Sequence, residues 1–390
     1  MKITGYNIRK YTWHMDRALG DANSPSGSGT WSAGSILSIE TDEGITGVSL
    51  GGNNYVASLF PILEGQDPRG NIGLWKQMMD HVFKGGNEGE ANAAISAMDI
   101  ALWDLKAKIA DQPLWKLLGA SEPRTKAYAS GIDLNLTDDE IYAFYSRMAD
   151  QGIDGGKLKV GLDMEADLRR IGIMNECFQR VTSRPMLTID SNEYWSPKQA
   201  IRHISEIEKH FDITWVEEPA RRWDYEGLRL VSQNVSAAVA TGENINDLGD
   251  FYALIANEAV DIVEFGSSAT GITGARQIAN FAYAFELPVC LMNCPGEFMA
   301  PLGAALPNHL ALEVVDPFRE PCFTTDNYID DGWIHMGDTP GLGLVVDEEK
   351  LAAIEVDEVV VPPGVNWPFP RREGAGLYQV HPTPEEVIWK

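Results

Sequence analysis

Acidic residues close successive apolar runs of this chain at nearly equal spacing. Met186–Asp190 ends in an aspartate, Ile213–Glu217 in a glutamate, and Ala237–Gly242 is followed directly by Glu243. The three acids are separated by 27 and 26 residues. One run earlier, Gly156–Val160 carries Lys157 and Lys159, whose alternation puts both ammonium groups on one face of a strand. Three carboxylates brought to one level cannot all stay ionised without a counter-charge. Mg²⁺, which prefers hard oxygen ligands, supplies one, so Asp190, Glu217 and Glu243 are candidate metal ligands. Capping a following helix is the competing use of such acids, reasonable for Asp190 but poor for Glu217 inside a Glu-Glu-Pro turn. Neighbouring cations and a nearby dication lower a lysine pKa toward neutrality. Lys159 is therefore a candidate general base and Lys157 its electrostatic modulator.

Such chemistry needs elements that bring equivalent strand ends together. Eight short apolar runs begin at Ala127, Gly156, Met186, Ile213, Ala237, Asp261, Leu287 and His309, with amphipathic segments such as Asp138–Gln151 and Met164–Arg180 between them. This period predicts an α/β fold of the (β/α)8 barrel type, with catalytic side chains at the C-terminal strand ends. An open dinucleotide-binding sheet would carry an early Gly-x-Gly-x-x-Gly turn, and none is present. Before the barrel, residues 1–55 alternate as an antiparallel meander and 72–118 read as helices. The expected division is an α+β cap over 1–122, a barrel over 123–320, and a segment over 321–390 packing back on the cap. Within the cap, Gly20–Gly29 is too long for a tight hairpin and is expected to be a mobile lid.

Composition narrows the partners. The chain has 390 residues, 44% hydrophobic, with a net charge of −26, which disfavours nucleic acid and anionic membrane surfaces. Four cysteines without Cys-x-x-Cys spacing suit reduced thiols in a cytoplasmic protein, with no signal core at the N-terminus and no apolar stretch long enough to span a bilayer. A small-molecule substrate is the expected partner.

These residues resemble the enolase superfamily, in particular its mandelate racemase and muconate lactonizing enzyme group, over nearly the whole chain. Ala97–Lys108 with Pro113–Gly119 is similar to the helix closing that group's capping domain. Lys157-Leu-Lys159 resembles its base motif, and Asp190 with Asn192, Glu217-Glu-Pro and Gly242-Glu243-Asn resemble its metal motifs; Gly271-Ile-Thr-Gly and Pro340-Gly-Leu-Gly also fit. The resemblance implies Mg²⁺-assisted removal of a proton α to a carboxylate, with Lys159 moving the proton and the metal stabilising the enediolate. It also places Glu313 against the substrate carboxylate and implies a homo-oligomer, dimer or octamer.

Two departures matter. Racemase-like members carry an Asp on the sixth run and a His on the seventh; here those positions fall on Phe265 or Gly266, and on Met292 or Asn293. The Lys that cycloisomerase-like members place on the sixth run is also absent. Racemisation needs a proton donor opposite the base. One-base chemistry survives its loss, so dehydration of a hydroxy acid or sugar acid fits best. A racemase, epimerase or cycloisomerase with an unorthodox second group, and a paralogue that binds metal and carboxylate without turnover, are the alternatives. Glu264, His14, Arg17, Asn192 and Asn293 are candidate substrate contacts, the first three also as supplementary acids. An internal salt bridge to a lysine of the pair is the competing role for Glu264, and a lid surface position that for His14.

Overall fold

The computed structural model describes residues 1–24, 30–267, 271–292, 298–315, 321–362 and 372–378. The N-terminal part is an antiparallel sheet of β1 (Ile3–His14), β2 (Trp31–Thr41) and β3 (Thr46–Leu50). It is followed by α1 (Val56–Leu63), α2 (Asn71–Val82), α3 (Gly89–Ile109) and α4 (Leu114–Leu118). Helix α3 is buried on nearly every side because it lies between the sheet and the domain that follows. Its small residues permit that: a Cβ on Gly47 of β3 would lie 2.2 Å from the Ala101 carbonyl oxygen. On the far side, Asp99 accepts from the Thr273 amide at 2.8 Å and its hydroxyl at 2.6 Å.

The second part alternates strand and helix. Its elements are β4 (Arg124–Ser130), α5 (Asp138–Ala149), β5 (Gly155–Lys159), α6 (Met164–Phe178), β6 (Met186–Asp190), α7 (Pro197–Ile207), β7 (Ile213–Glu217) and α8 (Tyr225–Ser232). They continue with β8 (Ala238–Thr241), α9 (Leu248–Ala256), β9 (Ile262–Phe265), α10 (Gly271–Ala284), β10 (Val289–Leu291), α11 (Ala300–Ala305) and β11 (His309–Val314). Each strand pairs in parallel with the next, and β11 pairs with β4, closing an eight-stranded barrel. Oxygen-bearing caps start the outer helices: Thr137 for α5, Asp163 for α6, Asp224 for α8 and Asp247 for α9 each accept a backbone amide. The outward faces of the strands and the helices form the main core, while Tyr128, Trp215, Cys290 and Met292 belong to a separate cluster. The Tyr128 and Trp215 rings meet edge-on at 5.3 Å although β4 and β7 are not neighbours, so this cluster fills the barrel interior.

The C-terminal segment touches both parts. It contains β12 (Phe323–Thr325), β13 (Tyr328–Asp330), β14 (Trp333–His335), β15 (Leu344–Val346), α12 (Glu348–Ile354) and β16 (Glu355–Val356). Strand β16 adds to β1, and Cys322 and Leu351 pack with Tyr11 and Ile36. The β13–β14 hairpin instead pairs with the start of β4, at the barrel end away from the acids. Residues 372–378 return to the other end, where the Gly376 amide donates to the Tyr194 carbonyl at 2.6 Å.

Candidate active site

The two lysines of β5 project inward and are nearly sealed from solvent, Lys157 at 1% and Lys159 at 5% exposure. Lys157 Nζ lies 2.7 and 2.6 Å from the two carboxylate oxygens of Glu217, 2.8 Å from Glu313 and 3.7 Å from Asp190. Glu217 and Glu313 stand on strands that are not neighbours of β5, so these contacts cross the barrel interior. Lys159 pairs with Asp190. Glu243 follows β8 at the same mouth and is half-buried. Gly242 sets its position: φ is +134°, and a Cβ there would lie 2.2 Å from the Glu264 carbonyl oxygen, so the chain turns where only glycine fits.

Glu264, on β9, is fully buried, and neither carboxylate oxygen has a hydrogen-bond partner among the described residues. The salt bridge expected for it to a lysine of β5 is therefore not formed; Lys157 is engaged by Glu217 and Glu313 instead. Asn192 has φ +47° and donates its amide to Asp190 Oδ1 at 2.7 Å. Arg17 donates to the Gly131 carbonyl and, at 3.3 Å, to that of Val315, just beyond β4 and β11, and sits 4.6 Å over the Phe144 ring. His14 ends β1, exposed and opposite Trp31. Asn293 and Cys294 lie outside the described residues. At the dyad positions, Gly266 follows β9, and Met292 points into the barrel, where its sulfur accepts from the Tyr128 hydroxyl at 3.6 Å. Phe265 packs outward on Phe251. Among the described residues, the dyad positions themselves carry no ionisable group; on β9 the nearest is Glu264, one residue before Phe265.

Lys157 and a nearby dication were expected to lower the Lys159 pKa toward neutrality; in the protein without the ion its pKa is raised. Burial is the largest single influence and opposes its charge, as does Lys157, but Asp190, Glu217 and Glu243 together raise it. Lys157 is likewise raised, against burial, by Glu217 and Glu313. Asp190 is held down by Lys159 and Lys157 in spite of burial. Glu217 is pushed up by burial and by Asp190 and Glu264, and Glu264 itself is pushed up by burial. Five acids thus crowd two ammonium groups. As they stand, the described residues contain no group of three or more acids, histidines or cysteines disposed to hold a metal ion; the lysines lie between the carboxylates. The donor set still fits a hard dication, because it is all carboxylate oxygen and carries surplus negative charge.

Beside Glu243 opens a cavity of about 240 Å³ that the sequence reading missed, lined by Asp21, Asn23, Asn192, Glu193, Glu218, Arg221, Arg222 and Asn244. Glu193 holds Arg222 at 2.6 Å and Arg221 at 3.1 Å, while Asn244 donates to Glu218 at 2.7 Å. Asn192, Glu193 and Glu218 all have positive φ, backbone strain of a kind that gathers at functional sites. The available signal was the second glutamate of Glu-Glu-Pro and the arginine pair after it; neither has a spacing that marks chemistry.

A closed barrel with lysines and carboxylates converging at its C-terminal mouth defines a barrel enzyme with an acid–base site. Residues 140–350 match the enolase C-terminal domain-like family, and residues 30–119 match the N-terminal domain of mandelate racemase / muconate lactonizing enzyme. The chain belongs to this group of the enolase superfamily. It is 31% identical over 287 residues to a 3,6-anhydro-alpha-L-galactonate cycloisomerase of Streptomyces coelicolor, covering 73% of this chain and 78% of that protein. With an L-talarate/galactarate dehydratase of Salmonella typhimurium it shares 29% over 340 residues, 80% of each chain. Its fold matches the crystal structure of a Streptomyces coelicolor racemase with bound magnesium at a TM-score of 0.81 and 28% identity, covering 91% of this chain and 100% of that one.

Proposed function

We propose that this chain dehydrates a sugar acid by removing the proton α to its carboxylate. At the coarser level it is a Mg²⁺-dependent lyase or isomerase of the enolase superfamily. Asp190, Glu217 and Glu243 are the proposed ligands. Bound there, Mg²⁺ would offset the crowded carboxylates and the charge that develops on the substrate's carboxylate oxygens. The observation that carries the reading is the pairing of Lys159 with Asp190 inside a buried cluster of acids. Removing the Asp190 and Glu217 charges from the lysines' surroundings also removes what holds them protonated. A neutral Lys159 then accepts the α-proton, Lys157 and Glu313 orient the substrate carboxylate, and the narrow interior keeps water away. The β-hydroxyl leaves on the same face with the proton that Lys159 took up, so water departs and the enol left behind tautomerises to the 2-keto acid. Among the described residues the dyad positions hold no second acid, which supports one-base elimination over racemisation.

The relation to a cycloisomerase favours a second version of the same step. If the β-oxygen belongs to an ether ring, its expulsion opens the ring and no water is lost. Incubation with Mg²⁺ and a panel of acid sugars, anhydro forms included, separates the cases. A 2-keto-3-deoxy acid lighter than its substrate by one water supports dehydration, and an isomeric keto acid supports ring opening. Exchange of the α-hydrogen in D₂O without a keto acid overturns elimination in favour of epimerisation. Binding with neither signal identifies a non-catalytic paralogue.

A further inference from the structure

We propose that Asp133 is a positioning residue that ties the seating of the described lid residues at Gly20 to the orientation of Lys159; this rests on the proposed role of Lys159 as the base. Asp133 follows β4 and is fully buried, yet it belongs to none of the groups that face the substrate. One carboxylate oxygen accepts the backbone amide of Lys159 at 3.0 Å and Arg170 at 3.2 Å. The other accepts the Tyr145 hydroxyl at 2.5 Å. Arg170 also grips β5 itself, and the Tyr145 hydroxyl, whose single proton goes to Asp133 or to β5, lies against it. Arg170 donates to the Lys159 carbonyl at 3.0 Å, and Tyr145 lies 2.5 Å from the Lys157 carbonyl. The backbone on either side of the proposed base is thus held by side chains from the β4–α5 turn, α5 and α6.

The same segment carries the lid. Gly20 donates its amide to the Ile132 carbonyl at 2.7 Å, and its own carbonyl accepts the Leu134 amide at 3.0 Å, so the lid forms a bridge to Asp133. A Cβ on Gly20 would lie 2.2 Å from Asn135 Nδ2, so any larger residue here would displace the Asn135 side chain. Gly20 is therefore hydrogen-bonded to the residues on either side of Asp133, and the amide of the proposed base to Asp133 itself. A shift of the lid at residue 20 moves the Asp133 backbone, and with it the acceptor of the Lys159 amide. Misplacement of a reacting group by about 1 Å costs on the order of 100-fold in rate.

The test compares Asp133→Ala, Asp133→Asn and Tyr145→Phe in the full chain. Readouts are hydrogen exchange at the Lys159 amide, Mg²⁺ affinity by calorimetry, and kcat and KM on whichever panel sugar acid the wild type converts. Asn keeps an acceptor for Lys159, and its amide group donates to Tyr145, freeing that hydroxyl for Lys157. Asp133→Ala is expected to speed exchange at Lys159 and lower kcat by about 100-fold, with KM within about twofold and Mg²⁺ affinity kept. Asp133→Asn is expected to recover most of that loss, and Tyr145→Phe to fall between. The proposal is overturned if folded Asp133→Ala keeps its kcat, if Mg²⁺ affinity falls in step with rate, or if Asn rescues nothing. Should the wild type convert no sugar acid, the functional reading fails by itself. Exchange at Lys159 then decides the positioning claim, and an unchanged rate there overturns it.

Discussion

At the scale of single residues, the site is governed by how few positive charges serve so many acids. Lys159 faces Asp190, and Lys157 is shared between Glu217 and Glu313. Replacing Lys159 with Ala removes the proposed base, so turnover should drop by about 10²–10⁴-fold. The same change leaves Asp190 without its nearer ammonium partner, so calorimetry should show Mg²⁺ bound at least as tightly as by the wild type. Weakened Mg²⁺ binding together with unchanged turnover would reverse both assignments. Lys157 and Lys159 were legible as a pair from their alternation alone. Their pairing partners were not, because Glu217 and Glu313 reach Lys157 from across the barrel.

At the scale of elements, two contacts carry consequences. Arg372, in the short described piece near the C-terminus, donates to the carbonyls of Ala22 at 2.6 Å and Ser24 at 3.0 Å. Asn23 in turn donates to the Asn192 carbonyl at 2.9 Å, next to the proposed metal ligands. Residues 22–24 are thus clamped between the C-terminal segment and the loop after β6. Arg372→Ala should speed hydrogen exchange over residues 20–24 and raise KM more than it lowers kcat, read by mass spectrometry and steady-state kinetics. The second contact lies at the start of β11, where His309 Nδ1 is 3.0 Å from the Thr125 hydroxyl. Burial lowers the His309 pKa from its ordinary 6.5 to about 4. The unfolded chain therefore takes up this proton first as pH falls below 6.5. The stability that a neutral His309 allows is whole above that pH and is lost progressively toward pH 4. Melting curves of wild type and His309→Gln between pH 4 and 8 should differ most steeply in that window.

For the whole molecule, the buried acid cluster ties metal binding to folding. A ligand that binds only the folded state adds about 2.7 kcal/mol at a hundred times its dissociation constant. The melting temperature should therefore rise with Mg²⁺, return on chelation, and lose this response in Asp190→Asn and Glu217→Gln. A rise that survives in both variants, measured by scanning calorimetry at constant ionic strength, would place the ion elsewhere. Assembly into a dimer or octamer is a proposal drawn from the resemblance, and light scattering tests it. Among the described residues no helix is long and apolar enough to cross a membrane.

Local order was open to reading from the amino acids because it is carried by neighbours in the chain. The strand period, the acids at strand ends and Lys157-x-Lys159 recur at fixed intervals, and a barrel converts equal intervals into equal height. That is why the architecture and the cluster at its mouth were legible before any coordinates. What faces what across the barrel depends on distances between residues far apart in sequence, which no interval encodes. Only the folded chain leaves Glu264 without a hydrogen-bond partner among the described residues, turns Met292 inward, sets Asp190 against Lys159, and places Asp133 between the turn at Gly20 and the proposed base. Those outcomes follow from burial and from which charges come within a few ångströms, and both are properties of tertiary packing.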